Sequence, residues 1–410
     1  MIVDDVRRTV ADGRSELSAR IRPQGMEAVR VWFSCPEELA PQGEADATPF
    51  LPSSLHWCMR RDEELVIDGP VSPQVLDGLD DTMDVLLSLF PGKLRPATVK
   101  AQPEAPPAGA DISACCFSRG VDSWHAVLTS LEAQGDASPP PTHLLFSPGH
   151  VSRYFSDAQV RQKTEAVREV ADALGLGFVE VDTNVKRALE GFKGPILVST
   201  TLALGCRRIM IPSGVMQAVL RAKMTHPTLD HRFSTESTRI VHYGQAGRMA
   251  KMAVIAQSDL ALRWIDVCKD DYPQSQINCG KCEKCLRTMI GLHVLGALDR
   301  CPAFERPLDP ALLLTLRHIG EPHSWVEVLH ALGDSEFDRR LAAGIRLGLM
   351  HDQAERMKDL VRGLDEDTRA VPTYRRASRA VARSMKGFNS AERRVEELQE
   401  RLLIAHADHR

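Results

Sequence analysis

ISACCFSRGVDSWHAVLTSL, residues 112–131, is the stretch in which the hydrophobic pattern changes from that of a strand to that of a helix. The mostly apolar run Ile112–Phe117 predicts a short buried strand. After it, apolar side chains recur at helical spacing, at Val121, Trp124, Leu128 and Leu131. The polar segment Ser118–Ser123 therefore occupies a predicted strand-to-helix turn.

The same alternation of strand and helix continues along the chain. Further strands are predicted at His143–Ser147, Phe178–Val181 and Arg208–Pro212, with helices at Val160–Leu174 and Ile196–Leu204. Strands that alternate with helices pair in parallel, and their crossovers are right-handed. The predicted fold class is α/β, a parallel sheet with covering helices, in residues 111–292.

The regions on either side differ in character. Residues 1–100 mix strand-like runs such as Val29–Phe33 with an amphipathic helical stretch, Leu76–Leu89, and they predict a small accessory α+β domain. Residues 101–110 contain three prolines and no bulky apolar side chain, which is typical of a linker. Residues 293–410 are predicted to form a helical C-terminal region.

Length and charge bound the classes of function. A chain of 410 residues predicts two or three structural units, and a net charge of −4 gives no overall attraction to nucleic acid or to an anionic membrane. The basic segment Tyr374–Lys386 is interpreted as a solvated face, with a weak nucleic-acid or partner contact as the alternative. No signal peptide or membrane span is expected, so the predicted location is the cytoplasm, where ten cysteines indicate free thiols and metal ligands.

The turn Ser118–Ser123 has the residue types of a phosphate site. A strand-to-helix turn directs backbone N–H groups and the positive end of the helix dipole to one place. Gly120 permits a close approach of ligand to backbone, and the two serine hydroxyls can donate hydrogen bonds. Asp122 could hold Mg²⁺ through water or orient the loop. The alternative is an ordinary capped helix start, with Ser118 or Asp122 as the cap.

A second pattern, C-x10-C-x2-C-x2-C, is formed by Cys268, Cys279, Cys282 and Cys285. Four thiolates suit tetrahedral Zn²⁺, and four protein ligands leave no open position for a substrate. Gly280 relieves the tight turn between two of them. The spacing therefore predicts a structural metal site, with an iron–sulfur cluster or buried unpaired thiols as the alternatives.

These two patterns resemble those of a known family. The loop resembles that of the PP-loop ATP pyrophosphatases, whose pattern is Ser-Gly-Gly-x-Asp-Ser at the end of the first strand. Arg119 stands where that family has its first glycine, and an arginine there could pair with phosphate oxygens. The cysteines resemble those of the 7-cyano-7-deazaguanine synthase family, which binds zinc at Cys-Gly-x-Cys-x-x-Cys. The resemblance spans roughly Asp111 to Leu292, and longer relatives occur in bacterial anti-phage systems.

The resemblance implies an adenine nucleotide alpha hydrolase-like sheet, with the cofactors ATP and Mg²⁺ at the loop and Zn²⁺ on the four cysteines. The implied ATP-binding residues are Ser118, Arg119, Gly120, Val121, Asp122 and Ser123. Of these, Ser118, Asp122 and Ser123 are the implied catalytic residues. The implied reaction is adenylation of a small-molecule carboxylate, such as 7-carboxy-7-deazaguanine. Adenylation releases pyrophosphate, an amine donor converts the adenylate to an amide, and renewed activation and dehydration of the amide give a nitrile.

Other functions remain open at this level. A conjugating enzyme would attach a deazaguanine or another acyl group to a protein amine in a bacterial defence pathway, and it would need a protein partner. A zinc-stabilised binding module would hold nucleotide without turnover, because Arg119 replaces a glycine. A sulfur-transferring PP-loop enzyme would need a reactive thiol near ATP, for which Cys206 is the candidate.

Residues that close or follow the other predicted strands are candidates for a substrate pocket, since open α/β sheets bind ligands at the carboxyl ends of their strands. They are Pro148, Gly149, His150, Arg153, Asp182, Lys186, Ser213 and Gly214. His231, Arg232 and Lys251 are further candidates between the last predicted strand and the cysteines.

Overall fold

The computed structural model describes residues 1–133, 139–151, 155–189, 193–217, 225–268, 277–316 and 319–362. Within these ranges a mixed sheet and an all-parallel sheet pack with helices, which confirms the α/β class. The chain divides into two compact units, Met1–Ile277 with Cys301–Ala303, and Asn278–Arg300 with the residues from Phe304 onward. The basic segment Tyr374–Lys386 lies outside the described residues.

The mixed sheet belongs to the first unit. It is built from β1 (Ile2–Ala11), β2 (Arg14–Arg22), β3 (Val29–Pro36), β4 (Leu65–Val71), β5 (Val99–Pro103) and the short β9 (Asp182–Thr183). Their order is β5-β4-β1-β2-β3-β9. Asp12 and Gly13 join β1 to β2 with φ of 51° and 70°. Two positive φ values match the twist of a two-residue hairpin, which explains the Asp-Gly pair.

Three helices accompany this sheet: α1 (Leu51–Arg61), α2 (Pro73–Asp77) and α3 (Leu79–Leu89). The single helix predicted at Leu76–Leu89 is therefore wrong at its start. Gly78, with φ −90° and ψ 8°, ends α2 and precedes α3. Each of the two short helices has apolar residues at helical spacing. The sequence pattern therefore resembles that of one longer helix.

The all-parallel sheet carries the predicted turn. Its strands are β6 (Ser113–Cys116), β7 (His143–Phe146), β8 (Gly177–Glu180), β10 (Arg208–Pro212) and β11 (Arg239–Tyr243). The order is β11-β10-β6-β7-β8, so the first strand is central and the chain extends the sheet first to one side and then to the other. Four of these strands confirm the predicted alternation, and β11 is an addition that the sequence pattern did not reveal. All of β6 is buried, as expected for a parallel strand covered on both faces.

The helices that follow these strands belong to the same unit. They are α4 (Val121–Glu132), α5 (Pro148–Val151), α6 (Asp157–Ala173), α7 (Val185–Ala188), α8 (Lys193–Leu204), α9 (Arg248–Ala256) and α10 (Asp259–Trp264). A capping box at Ser156 and Gln159 starts α6, because each side chain bonds to the backbone of the other residue. The predicted helices at Val160–Leu174 and Ile196–Leu204 correspond to α6 and α8.

The two sheets are connected through β9. Phe33 of β3 pairs with Thr183, and Ser34 pairs with Asp182, in antiparallel register. Most of the predicted ATP-binding domain and all of the predicted accessory domain thus fall in the first compact unit. The predicted linker, 101–110, begins inside β5, whose residues pair with β4. The prolines at 106 and 107 follow that strand.

The described part of the second unit is helical, with α11 (Glu283–Val294), α12 (Pro322–Ala331) and α13 (Glu336–Arg362). Buried Arg287 on α11 binds the carbonyl oxygen of Gly320 at 3.1 Å and lies 3.3 Å from the Glu321 carboxylate. These contacts hold the start of α12 against α11. Among the described residues, no helix is both long and apolar enough to span a membrane.

Candidate functional site

The turn Ser118–Ser123 joins the central strand β6 to α4 and is closed by its own hydrogen bonds. The Ser123 hydroxyl donates to the Gly120 carbonyl at 2.9 Å and accepts the Ser118 N–H at 3.4 Å. Phe117 before the turn and Trp124 after it stack edge to face, with ring centroids 5.0 Å apart. The first-turn amides of a helix have no partner within the helix. The start of α4 is therefore suited to an anion at this turn.

Arg119 adopts the conformation that glycine favours. Its φ is +62°, and a non-glycine residue held there costs about 1–2 kcal/mol. Its side chain is buried, with one guanidinium nitrogen 2.7 Å from Asp266 Oδ2 and another 3.4 Å from the Trp264 carbonyl oxygen. The Asp266 N–H in turn donates to the Arg119 carbonyl at 2.9 Å. The guanidinium expected to pair with phosphate oxygens is instead bound within the protein.

Asp122 contacts a buried lysine from α9. Lys251 Nζ lies 2.7 Å from Asp122 Oδ1 and also donates to the carbonyl oxygen of Ser213, the residue that follows β10. The lysine side chain is 4% exposed, whereas that of Asp122 is 39% exposed. The ammonium therefore joins the ends of two neighbouring strands, and Asp122 retains access to solvent. Lys251 and Ser213, two of the candidates that the sequence offered for a substrate pocket, therefore lie at the turn.

Ser213 also begins a buried hydrogen-bonded series. Its hydroxyl lies 2.8 Å from His242 Nε2, and His242 Nδ1 lies 2.7 Å from Asp230 Oδ2. The order is that of a Ser-His-Asp triad, but the hydroxyl proton is donated to the Val215 carbonyl at 2.6 Å. His242 must then donate at Nε2, so it is not placed to act as a base on Ser213. Burial raises the pKa of Asp230 above its ordinary value.

His125, one helical turn after Asp122, is a neutral imidazole inside α4. Burial first, and the Lys251 charge second, lower its pKa to about 4. Among the described residues its Nδ1 has no hydrogen-bond partner, and a Cβ at Gly244 would come within 2.9 Å of that atom. Gly244 has a φ of +80°, so glycine meets both the steric and the conformational requirement there.

This histidine predicts a pH dependence of stability. The unfolded chain takes up the His125 proton near pH 6.5 and the folded chain only near pH 4, so stability falls as pH falls through that window. The loss should reach about 2–3 kcal/mol. Denaturant unfolding between pH 7 and pH 4.5 should show a shallower slope for His125→Asn than for the unmodified protein. The control, His231→Asn at an exposed histidine, should keep the original slope, and equal slopes in all three would contradict the prediction.

The other residues proposed for a substrate pocket have contacts away from the turn Ser118–Ser123. Lys186 Nζ donates to the His150 carbonyl, and His150 Nε2 lies 3.0 Å from Thr200 Oγ1, so these two residues meet each other. Asp182 lies in β9, and its carboxylate accepts the Thr183 N–H. Arg232 pairs with Asp81 of α3 at 3.6 Å. Arg153 is outside the described residues. No hydrogen bond or ion pair of the described residues joins His150, Lys186, Asp182 or Arg232 to the turn Ser118–Ser123.

The cysteine pattern folds into a close group of sulfur atoms. Cys282 is the cap of α11 and Cys285 lies in its first turn, while Gly280, at φ +67°, turns the chain between Cys279 and Cys282. The Sγ atoms of Cys279 and Cys285 are 3.8 Å apart, and the Cys282 N–H donates to the Cys279 sulfur at 3.4 Å. Cys268 is buried as well, as are the other three cysteines of the pattern. This group could hold a metal ion.

The sulfur-transfer hypothesis requires a reactive thiol. Cys206 is fully buried, and burial raises its pKa to about 12. A thiol with that pKa is protonated at neutral pH and is a poor nucleophile. The structure gives no support to Cys206 as a sulfur carrier.

Four further residues contact the turn or Ser213 through partners that are distant in the chain, and the sequence patterns did not identify them. Asp266, Lys163, His242 and Asp230 lie in segments with no motif, and their partners are found only in the folded chain. Comparison of the chain with known protein families, with curated proteins and with solved structures finds no match.

Proposed function

We propose that the chain binds ATP at the turn Ser118–Ser123 and transfers the adenylate to a carboxylate substrate. The observation that carries this proposal is the position of the turn in the parallel sheet. The strand order β11-β10-β6-β7-β8 reverses direction at β6 and β10. In open α/β sheets, ligands bind outside the carboxyl ends of the strands at such a reversal. The turn and Ser213 follow these two strands.

The same strand order supports an adenine nucleotide alpha hydrolase-like sheet and membership of the PP-loop superfamily. In this assignment the amides at the start of α4, with Ser118 and Ser123, hold phosphate oxygens. Asp122, half exposed and bound on one oxygen by Lys251, would hold Mg²⁺ through water. When bound, Mg²⁺ neutralises charge on the pyrophosphate. No protein nucleophile is required.

The reaction has two balanced steps. A carboxylate oxygen of the substrate attacks the α-phosphorus of ATP, and the bond to the β-phosphate bridging oxygen breaks to release pyrophosphate. An amine then attacks the acyl carbon, AMP leaves with the electrons of the acyl–oxygen bond, and the amine loses a proton to solvent. The protein contributes alignment and charge stabilisation. Activation of a primary amide oxygen by a second ATP would release pyrophosphate; AMP then leaves with that oxygen, the nitrogen loses two protons to solvent, and a nitrile is formed.

Zinc is the metal that best suits the four cysteines. Sulfurs at about 2.3 Å from one tetrahedral ion lie about 3.8 Å apart, and the Cys279 and Cys285 sulfurs show this separation. The ligands of an iron–sulfur cluster bind different irons and lie further apart than sulfurs that share one ion. The N–H bond to the Cys279 sulfur also suits a thiolate ligand. The proposed role is structural.

The test is incubation of the full chain with MgATP, 7-carboxy-7-deazaguanine and ammonium, followed by pyrophosphate assay and mass spectrometry. We expect substrate-dependent pyrophosphate release and an amide or nitrile product. A mass increase on a protein amine would instead assign the conjugating function. ATP binding without pyrophosphate release from any carboxylate would assign the non-catalytic module.

A further inference from the structure

Three charged side chains are buried together beneath the turn Ser118–Ser123. Arg119 and Lys163 both bind Oδ2 of Asp266, at 2.7 Å and 2.5 Å. All three side chains are at most 10% exposed. They come from the turn, from α6 and from the segment after α10, so their partners lie more than 100 positions apart in the chain.

The contacts attach the turn to the segment Trp264–Asp266 at three points. The Arg119 guanidinium binds the Asp266 carboxylate and the Trp264 carbonyl, and the Arg119 carbonyl accepts the Asp266 N–H. Side chain and backbone of one residue are thus both fixed. Because Arg119 precedes Gly120, this attachment sets where the amides at the start of α4 point.

Arg119 and Lys163 share one carboxylate, which supplies the counter-charge that a buried cation needs. Asp266 itself has its Oδ2 occupied by both cations, which makes it unsuited to act as a base or as a metal ligand.

We propose that Arg119 is a positioning residue: bound to Asp266, it holds the turn Ser118–Ser123 in the conformation that receives the phosphates. The proposal rests on the proposed ATP site. It gives the residue that departs from the PP-loop pattern a role in that site without contact to the ligand. Arg119 keeps the left-handed backbone that glycine would adopt and adds two side-chain contacts that glycine lacks.

Two variants each remove one positive charge, and together they separate the effect of the charge from the effect of the Arg119 contacts. Arg119→Gly removes one cation and the two side-chain contacts of the attachment, whereas Lys163→Met removes one cation and leaves all three contacts in place. In both, Asp266 keeps one partner, so both should fold. Glycine also relieves the positive φ at position 119. Hydrogen exchange measured by mass spectrometry on ligand-free protein should show faster exchange in residues 117–124 for Arg119→Gly alone.

Calorimetric titration with MgATP gives the second measurement. Arg119→Gly should weaken binding by about tenfold or more, and Lys163→Met by about threefold or less, since ordering of a binding loop is a cost of association. Adding Asp266→Asn to Arg119→Gly should produce little further loss, because contacts that act through one partner are not additive.

The outcomes separate the two proposals. Unchanged exchange in Arg119→Gly, or MgATP binding equal to or tighter than in the unmodified protein, overturns the positioning role. Equal effects of Arg119→Gly and Lys163→Met also overturn it and assign the effect to charge. If the unmodified protein binds no MgATP, the ATP site is wrong, and the exchange of residues 117–124 alone decides whether Arg119 orders the turn.

Discussion

Lys251→Met is expected to lower kcat/KM for pyrophosphate release by about 100-fold or more. The Lys251 ammonium is buried and joins Asp122 to the Ser213 carbonyl, across the ends of β6 and β10. Its loss leaves the Ser213 carbonyl without this donor and frees the Asp122 carboxylate to move. A 100-fold change corresponds to about 2.7 kcal/mol of transition-state stabilisation, which is within the range of a single pre-organised charged group.

The control is Lys100→Met, the same chemical change at a lysine whose side chain is 65% exposed and pairs with Glu64 at 2.7 Å. This exposed pair should contribute little, so activity should stay close to that of the unmodified protein. Denaturant unfolding of both variants separates a local effect from loss of the fold. Activity of Lys251→Met within about fivefold of the unmodified protein would contradict the assigned role.

Cys282→Ser is expected to remove the bound metal. Purified protein should contain about one zinc per chain by elemental analysis, and the variant should contain almost none, because a tetrahedral thiolate site needs all four ligands. Since binding of a structural metal is coupled to folding, the variant should also unfold at a lower temperature. A chelator should shift the unmodified protein toward the behaviour of the variant.

Cys301→Ser provides the matched control. Cys301 is buried like the four cysteines, but its thiol donates to the Leu262 carbonyl at 3.1 Å, and a serine hydroxyl can keep that bond. Its zinc content should equal that of the unmodified protein. Iron with acid-labile sulfide in the unmodified protein would replace the zinc assignment by a cluster. Protein without any metal would overturn the metal site.

Local pattern was sufficient for much of the parallel sheet. Buried strands such as β6 and β10 are mostly apolar runs, and α6 has regular apolar spacing, so neighbouring residues alone reveal them. β1 was harder to detect, because charged residues interrupt it. Its Asp4 pairs with Arg20 and Arg22 on the next strand, a compensation visible only once the strands are paired.

Two further strands, β9 and β11, depend on tertiary contacts. The two residues of β9 are too short to show any period, and they form a strand only because β3 supplies the partner. β11 was not predicted, since polar Arg239 and His242 interrupt its short sequence and only Ile240 is buried. Its pairing with β10 in parallel register places His242 beside Ser213.

The sequence by itself determined the turn Ser118–Ser123, its place between a strand and a helix, and the four-cysteine pattern. These features are encoded by residues close together in the chain, so spacing alone is informative. The tertiary structure alone decided what surrounds the turn: Lys251 on Asp122, and Asp266 with Lys163 around Arg119. Those partners are more than 100 residues away or belong to other elements. Only the packed sheet brings such charges into one low-dielectric place, where each must find its counter-charge.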